Sequence, residues 1–138
     1  MAITKQKGDI AEAFITFTLK QHGFNVLLPW GEDVRYDLVA EKNGVFKRIQ
    51  VKYVTPKNGV LEVAMRSSNN HSVKPYSEKE VDVVAAFCSK QEKAYFIPVN
   101  KTSNKRVCKL RLEPTKNKQQ KKVTMASEYE FKSGLLEK

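Results

Sequence analysis

Cysteine and histidine are nearly absent, with two of each in 138 residues. Cys88 and Cys108 sit in apolar surroundings with no second Cys or His at metal-ligand spacing, so neither a zinc centre nor a disulfide framework organises the chain. Both thiols are expected as small buried hydrophobes. No apolar run approaches the roughly 20 residues of a membrane-spanning helix. The start, Met1-Ala2-Ile3-Thr4-Lys5, lacks the apolar core of a signal peptide, which leads to the expectation of an intracellular, cytoplasmic protein. Acids are few as well: 15 Asp plus Glu stand against 25 Lys plus Arg, for a net charge of +10 that favours polyanionic partners.

What is present suffices for a core. Hydrophobic residues make up 41% of the chain and include seven Phe, five Tyr and one Trp, which excludes a disordered charged polymer and predicts a single domain over 1–138. The positive charge is concentrated. Residues 101–122 hold Lys101, Lys105, Arg106, Lys109, Arg111, Lys116, Lys118, Lys121 and Lys122 against Glu113 alone, which is +8 of the +10. The chain therefore divides into a core over 1–100 and a basic strand, arm and C-terminal segment over 101–138. Such a patch suits phosphate contacts and points to nucleic acid. A membrane surface is disfavoured, because the basic window has no aromatic face.

Periodicity predicts the elements. Thr4 as N-cap and Gly23 past the end bound a helix whose apolar arc contains Phe17, Ile10, Phe14, Ala11, Ile15 and Leu19, with Glu12 at its margin. Strands are predicted over 24–29, 35–41 and 45–55, the last two joined by Asn43-Gly44, a hairpin signal. Alternation places Phe46, Arg48, Gln50 and Lys52 on one face of the third strand, and Asp37 opposite Leu38 and Ala40 in the second. Further strands are predicted over 60–65, 81–87, 94–99 and 106–112. The run Val81–Phe87 suits a strand covered on both sides, and a short helix is expected from Ser77 to Glu80.

Metal-dependent phosphodiester cleavage needs hard oxygen ligands and a cation near the attacking water or the scissile phosphate. A hairpin with Asp37 on one strand and Gln50 and Lys52 on the next can supply both, with the Val51 carbonyl as a further oxygen. The triplet alone is common, since Gln91-Glu92-Lys93, Gln119-Gln120-Lys121 and Glu130-Phe131-Lys132 also match. Only Gln50-Val51-Lys52 has a facing strand acid. A cross-strand ion pair of Asp37 and Lys52 on a solvated face explains the same residues, and Glu12 on the helix margin tilts the balance toward a four-residue cluster.

Gly8-Asp9-Ile10-Ala11-Glu12-Ala13, then Tyr36-Asp37-Leu38, then Ile49-Gln50-Val51-Lys52 resembles the PD-(D/E)xK nuclease superfamily. The Gln variant, the strand Tyr95-Phe96-Ile97-Pro98-Val99 and the ending Tyr129-Glu130-Phe131 resemble its cyanobacterial group I intron-encoded homing endonuclease branch, over nearly the whole chain. The resemblance implies an α/β restriction-endonuclease-like fold, with a mixed central sheet and flanking helices. It implies Glu12, Asp37, Gln50 and Lys52 as catalytic residues, and Asp37, Gln50, Val51 and Glu12 around Mg²⁺, with Mn²⁺ as a substitute. Two departures stand out: Tyr36 replaces the usual Pro, and Gln50 replaces a carboxylate and lowers cation affinity.

The expected activity is site-specific, metal-dependent cleavage of double-stranded DNA by a homo-oligomer. A dimer is the minimum for cutting both strands, and the resemblance favours a homotetramer. Lys57, Arg66, Lys74, Lys105, Arg106, Lys109 and Arg111 are the expected DNA contacts. His71 and Trp30 are expected as a surface loop residue and a core or interface aromatic, and Asp82 as a satisfied structural acid. The alternatives are a junction-selective nuclease of the Holliday-junction-resolvase type and a non-catalytic basic DNA-binding protein.

Overall fold

Helix α1 (Thr4–Gln21) buries Ala11, Ile15 and Leu19, a row of four-residue spacing, and half-buries Phe14, whose ring lies 4.4 Å from that of Phe87. Ile10 and Phe17, expected in the buried arc, are 45% and 59% exposed. At about 100° per residue they lie nearly opposite Ile15, whereas Glu12 lies roughly 60° from it. The sheet therefore covers only the end of the apolar arc that Glu12 borders. The helix ends at Gly23, with φ of +84°, where the Phe24 N–H donates to the Leu19 carbonyl at 3.0 Å.

The computed structural model describes residues 4–68, 73–102, 106–113, 124–132 and 136, without the side chains of residues 67, 68, 73 and 74. Its strands are β1 (Asn25–Leu27), β2 (Leu38–Lys42), β3 (Val45–Val54), β4 (Val60–Ala64), β5 (Arg66–Ser68), β6 (Val73–Pro75), β7 (Val83–Cys88), β8 (Lys93–Pro98) and β9 (Val107–Arg111). Five form a mixed sheet in the order β1-β2-β3-β7-β8, in which only the β3–β7 pair is parallel. Asn43 and Gly44, with φ of +54° and +82°, make the tight turn between β2 and β3.

β7 is buried along its whole length, as its unbroken apolar run predicts. Two clusters sandwich the sheet. On the α1 side Leu38, Ala40, Ile49, Val51, Val83, Ala85 and Phe96 meet the helix. On the other side Val54, Val84, Ala86, Cys88, Tyr95 and Ile97 pack under the antiparallel ribbon β4–β9, through Leu61, Val63 and Leu110. The register pairs Gln50 with Val84 and Lys52 with Ala86, so both side chains belong to the ribbon side. Along the outer edge of the sheet, the Phe96 N–H donates to the Tyr129 carbonyl at 2.7 Å and the Phe131 N–H to that of Ala94 at 2.9 Å.

Several expectations are corrected. The second strand begins at Leu38 rather than Arg35, because the Asp37 carboxylate takes the N–H that a continuing strand would have met. Residues 77–80 make one turn and no helix, since Asp82 donates its N–H to the Arg48 carbonyl and draws the chain into the sheet. Trp30 is fully exposed and is no part of the core. Cys88 is buried as expected, while Cys108 is only half-buried against the ribbon-side cluster. His71 lies outside the described residues.

Candidate active site

β2 pairs with β3 from Lys42 back to Leu38, opposite Ile49, and there the two strands part. Asp37 fills the gap. Its own N–H donates to the Ile49 carbonyl at 2.8 Å, and its Oδ2 accepts the Val51 N–H at 2.8 Å. Because alternate residues of a strand turn their backbone groups the same way, the Val51 carbonyl points to this edge as well, beyond the last β2 pair. The carboxylate thus sits in the plane of the sheet, at the end of a ladder.

Glu12 and Lys52 reach it from opposite sides. α1 packs on one face and brings Glu12 close enough to feel the charge of Asp37, whereas Lys52 stands on the ribbon face and attracts Asp37. Three of the expected residues, Glu12, Asp37 and Lys52, thus lie within electrostatic reach of one another in pairs through Asp37. Asp37 lies just before its strand, with Glu12 on the helix side and Lys52 on the ribbon side, and Gln50 is placed on the ribbon side by its register with Val84.

The electrostatics are those of unmet demand. Burial pushes the Glu12 carboxyl above its usual range, and Asp37 and Asp9 push it further. Burial also raises Asp37, which the Val51 N–H and Lys52 only partly offset. Burial depresses the Lys52 ammonium, assisted by Arg35 and Arg66 and opposed by Asp37. Lys52 Nζ has one long hydrogen bond, 3.4 Å, to the Arg66 carbonyl. Two half-buried carboxylates whose charge is disfavoured by burial gain from an added cation, and carboxylate oxygens suit a hard divalent ion. Among the described residues no three His, Cys, Asp or Glu side chains gather at metal-binding spacing.

Two residues at this corner were not expected. Tyr76 places its ring centroid 5.3 Å from Lys52 Nζ and 4.7 Å from Arg35 Cζ. Arg35 in turn donates to the Pro75 carbonyl at 3.2 Å and pairs with Glu80 at 3.0 Å. Arg35 has a sequence signal, standing two positions before Asp37. Tyr76 has only a weak one, an aromatic at the end of a polar loop.

Of the expected DNA contacts, Lys109 and Arg111 lie on the ribbon strand β9, with Lys57 and Arg106 just outside its ends and Arg66 on β5. Lys57 is exposed at the β3–β4 turn, and Lys109 is exposed on β9 opposite Glu62. Arg106 is exposed and its carbonyl accepts from the half-buried Arg66 at 3.3 Å, while Arg111 donates from Nε to the Glu113 carbonyl at 3.0 Å. The ribbon covers the face on which Lys52 stands, so these cations and Lys52 share one side of the main sheet. Lys105, the side chain of Lys74 and the basic arm over 114–122 lie outside the described residues. No described helix is long and apolar enough to cross a membrane.

Known proteins bear on this geometry. Among solved structures the chain is similar to a bacterial homing endonuclease, I-Ssp6803I, at 28% identity and a TM-score of 0.73, covering 94% of this chain and 89% of that one. It is more distantly similar to Archaeoglobus fulgidus Hjc, a Holliday junction resolvase from an archaeal hyperthermophile, at 18% identity and a TM-score of 0.48, covering 76% and 84%. No curated protein matches. A family model described as PD-(D/E)XK endonuclease matches residues 2–132. With that match spanning nearly the whole chain, the protein belongs to the PD-(D/E)XK endonuclease family and is a nuclease of that type, a family that usually works with divalent metals.

Proposed function

We propose that this chain is a site-specific homing endonuclease that hydrolyses both strands of duplex DNA with Mg²⁺, or Mn²⁺ in its place. The observation that supports it most is the half-buried Asp37 in the gap between β2 and β3, in the field of Glu12 on one side and Lys52 on the other. The likeness to a homing endonuclease along most of both chains supports the choice within the family.

In this reading Asp37, Gln50, the Val51 carbonyl and Glu12 would hold the cation, which would supply Lewis-acid polarisation of the scissile phosphate. Lys52 orients the attacking water and stabilises the charge developing on that phosphate from the ribbon side, where partial burial strengthens its field. Val51 fixes Asp37 by its N–H, so the carboxylate is pre-aimed before DNA arrives. Lys57, Arg66, Lys74, Lys105, Arg106, Lys109 and Arg111 grip the phosphates and, along the ribbon, enter the major groove. One such site per chain cuts one strand, so a dimer is the minimum and a tetramer is favoured. The exposed Leu28, Trp30, Ile10 and Phe17 supply apolar surface for self-association.

The reading is tested by offering the purified protein a linear duplex library and four-way junctions in competition, with Mg²⁺. Cleavage of a restricted set of linear sites is expected. Cleavage of junctions alone removes the homing assignment in favour of junction resolution. Salt-sensitive binding with no Mg²⁺-dependent nicking of either substrate leaves a DNA-binding protein without catalysis.

A further inference from the structure

Lys52 has unusual company. Among the described residues its ammonium is held by one long hydrogen bond, 3.4 Å, to the Arg66 carbonyl. An ammonium so placed needs a further attraction to stay at the β2–β3 gap. A second carboxylate would supply it, but would also pair with Lys52 and withdraw it from substrate. An aromatic face attracts a cation through its quadrupole without neutralising it. Tyr76 presents that face at 5.3 Å from Nζ, and Arg35, held by Glu80 and the Pro75 carbonyl, fixes the ring from 4.7 Å.

The Tyr76 hydroxyl does not set the ring's place. It is buried and has no hydrogen-bond partner among the described residues. The main chain does: the Tyr76 N–H donates to the Met65 carbonyl at 2.9 Å, one residue before the Arg66 carbonyl that accepts from Lys52. The same short segment thus locates both the ring and the oxygen that hold the lysine.

We propose that Tyr76 is a positioning residue for the nuclease reaction, its ring face holding the Lys52 ammonium at the gap, a role that rests on the reading of Lys52 given above. Arg35 is the anchor of that ring. The role acts through Lys52 and needs no contact between Tyr76 and DNA.

The experiment replaces Tyr76 by Phe, 3,5-difluorophenylalanine and pentafluorophenylalanine, which nearly keep the ring's volume while weakening and then reversing its quadrupole. Single-turnover cleavage of a site selected from the duplex library is measured with Mg²⁺, and binding of the same duplex with Ca²⁺. The Lys52 Cε–H resonances are followed in ¹³C-lysine protein, assigned with Lys52→Arg. Relative to Phe, the pentafluoro ring is expected to slow cleavage by about tenfold with unchanged affinity, and to move the Lys52 resonances. Unmoved resonances with an unchanged rate overturn the positioning role and leave Lys52's own role standing. Moved resonances with an unchanged rate mean that Tyr76 holds Lys52 but Lys52 does not act in cleavage, which overturns the nuclease role assigned to both. A Tyr76→Phe protein that has already lost the whole rate assigns the effect to the hydroxyl and overturns the role of the ring face.

Discussion

Arg48 and Lys52 stand four residues apart on the same face of β3, each with an aspartate, and they are opposite in every respect that matters. Arg48 donates from Nε and Nη2 to both oxygens of Asp82 at 3.0 and 3.1 Å, from its own N–H to Oδ2 at 2.7 Å, and from Nη1 and Nη2 to the Lys79 and Glu78 carbonyls at 2.6 and 2.8 Å. The pair is saturated. Burial pushes the Asp82 carboxyl up, but Arg48 more than offsets this and holds it below its usual range, while Asp82 raises Arg48. Asp37 and Lys52 do not saturate each other: burial raises the acid and depresses the base, as expected where a ligand completes the arrangement. One strand thus carries a brace and an unsaturated corner side by side, distinguishable by hydrogen-bond accounting.

The comparison can be broken at either end. Lys52→Ala is expected to lower single-turnover cleavage by about 10²–10⁴-fold while leaving the unfolding midpoint and duplex affinity near wild type. A protein that unfolds instead would put Lys52 in the structural class with Arg48. Asp82→Ala should do the reverse, costing about 1–3 kcal/mol in urea unfolding because Arg48 loses its carboxylate partner and keeps only the two carbonyls, with cleavage per folded molecule unchanged. The sign with pH follows. Since Asp82 is depressed when folded, its stabilisation is present above its unfolded pKa, near the usual 3.8, and is lost as pH falls through the lower folded value. The acid limb of the stability profile should therefore be shallower in Asp82→Ala than in wild type.

Two smaller effects sharpen the contrast. Gln50→Glu adds a charge to the unsaturated corner and should lower the Mg²⁺ concentration for half-maximal cleavage by about tenfold. An unchanged titration would take Gln50 out of the metal site. Lys109→Ala, on the exposed ribbon, should weaken duplex binding and reduce the slope of log affinity against log salt by roughly one, with cleavage of bound DNA unaffected. An unchanged slope would move DNA off the ribbon.

How much of this was legible follows from distance along the chain. The hairpin is local: Asn43-Gly44 and the alternation of β3 place Gln50 and Lys52 on one face, and the structure keeps them there. β7 reads as doubly covered because its apolar run is unbroken. The helix was legible as a helix, but its buried stripe was not, because a wheel shows a broad arc and only the partner sheet decides which end it covers. Asp37 reads as a strand residue, since nothing in the alternation reveals that its carboxylate would take the Val51 N–H and end the ladder. Tyr76 was barely legible as a site residue, because its partners Arg35 and Lys52 lie far away in sequence and meet it only through the fold.

If the corner around Asp37 is a metal-dependent cutting centre, cleavage needs both Asp37 and the ion. Wild-type and Asp37→Ala protein incubated with a randomised plasmid library, each in Mg²⁺ and in EDTA, test it most directly. The account predicts recovery of a related set of linearised plasmids from wild type in Mg²⁺ alone, with both strands cut at one position. Equal cleavage by Asp37→Ala, or by wild type in EDTA, would contradict it.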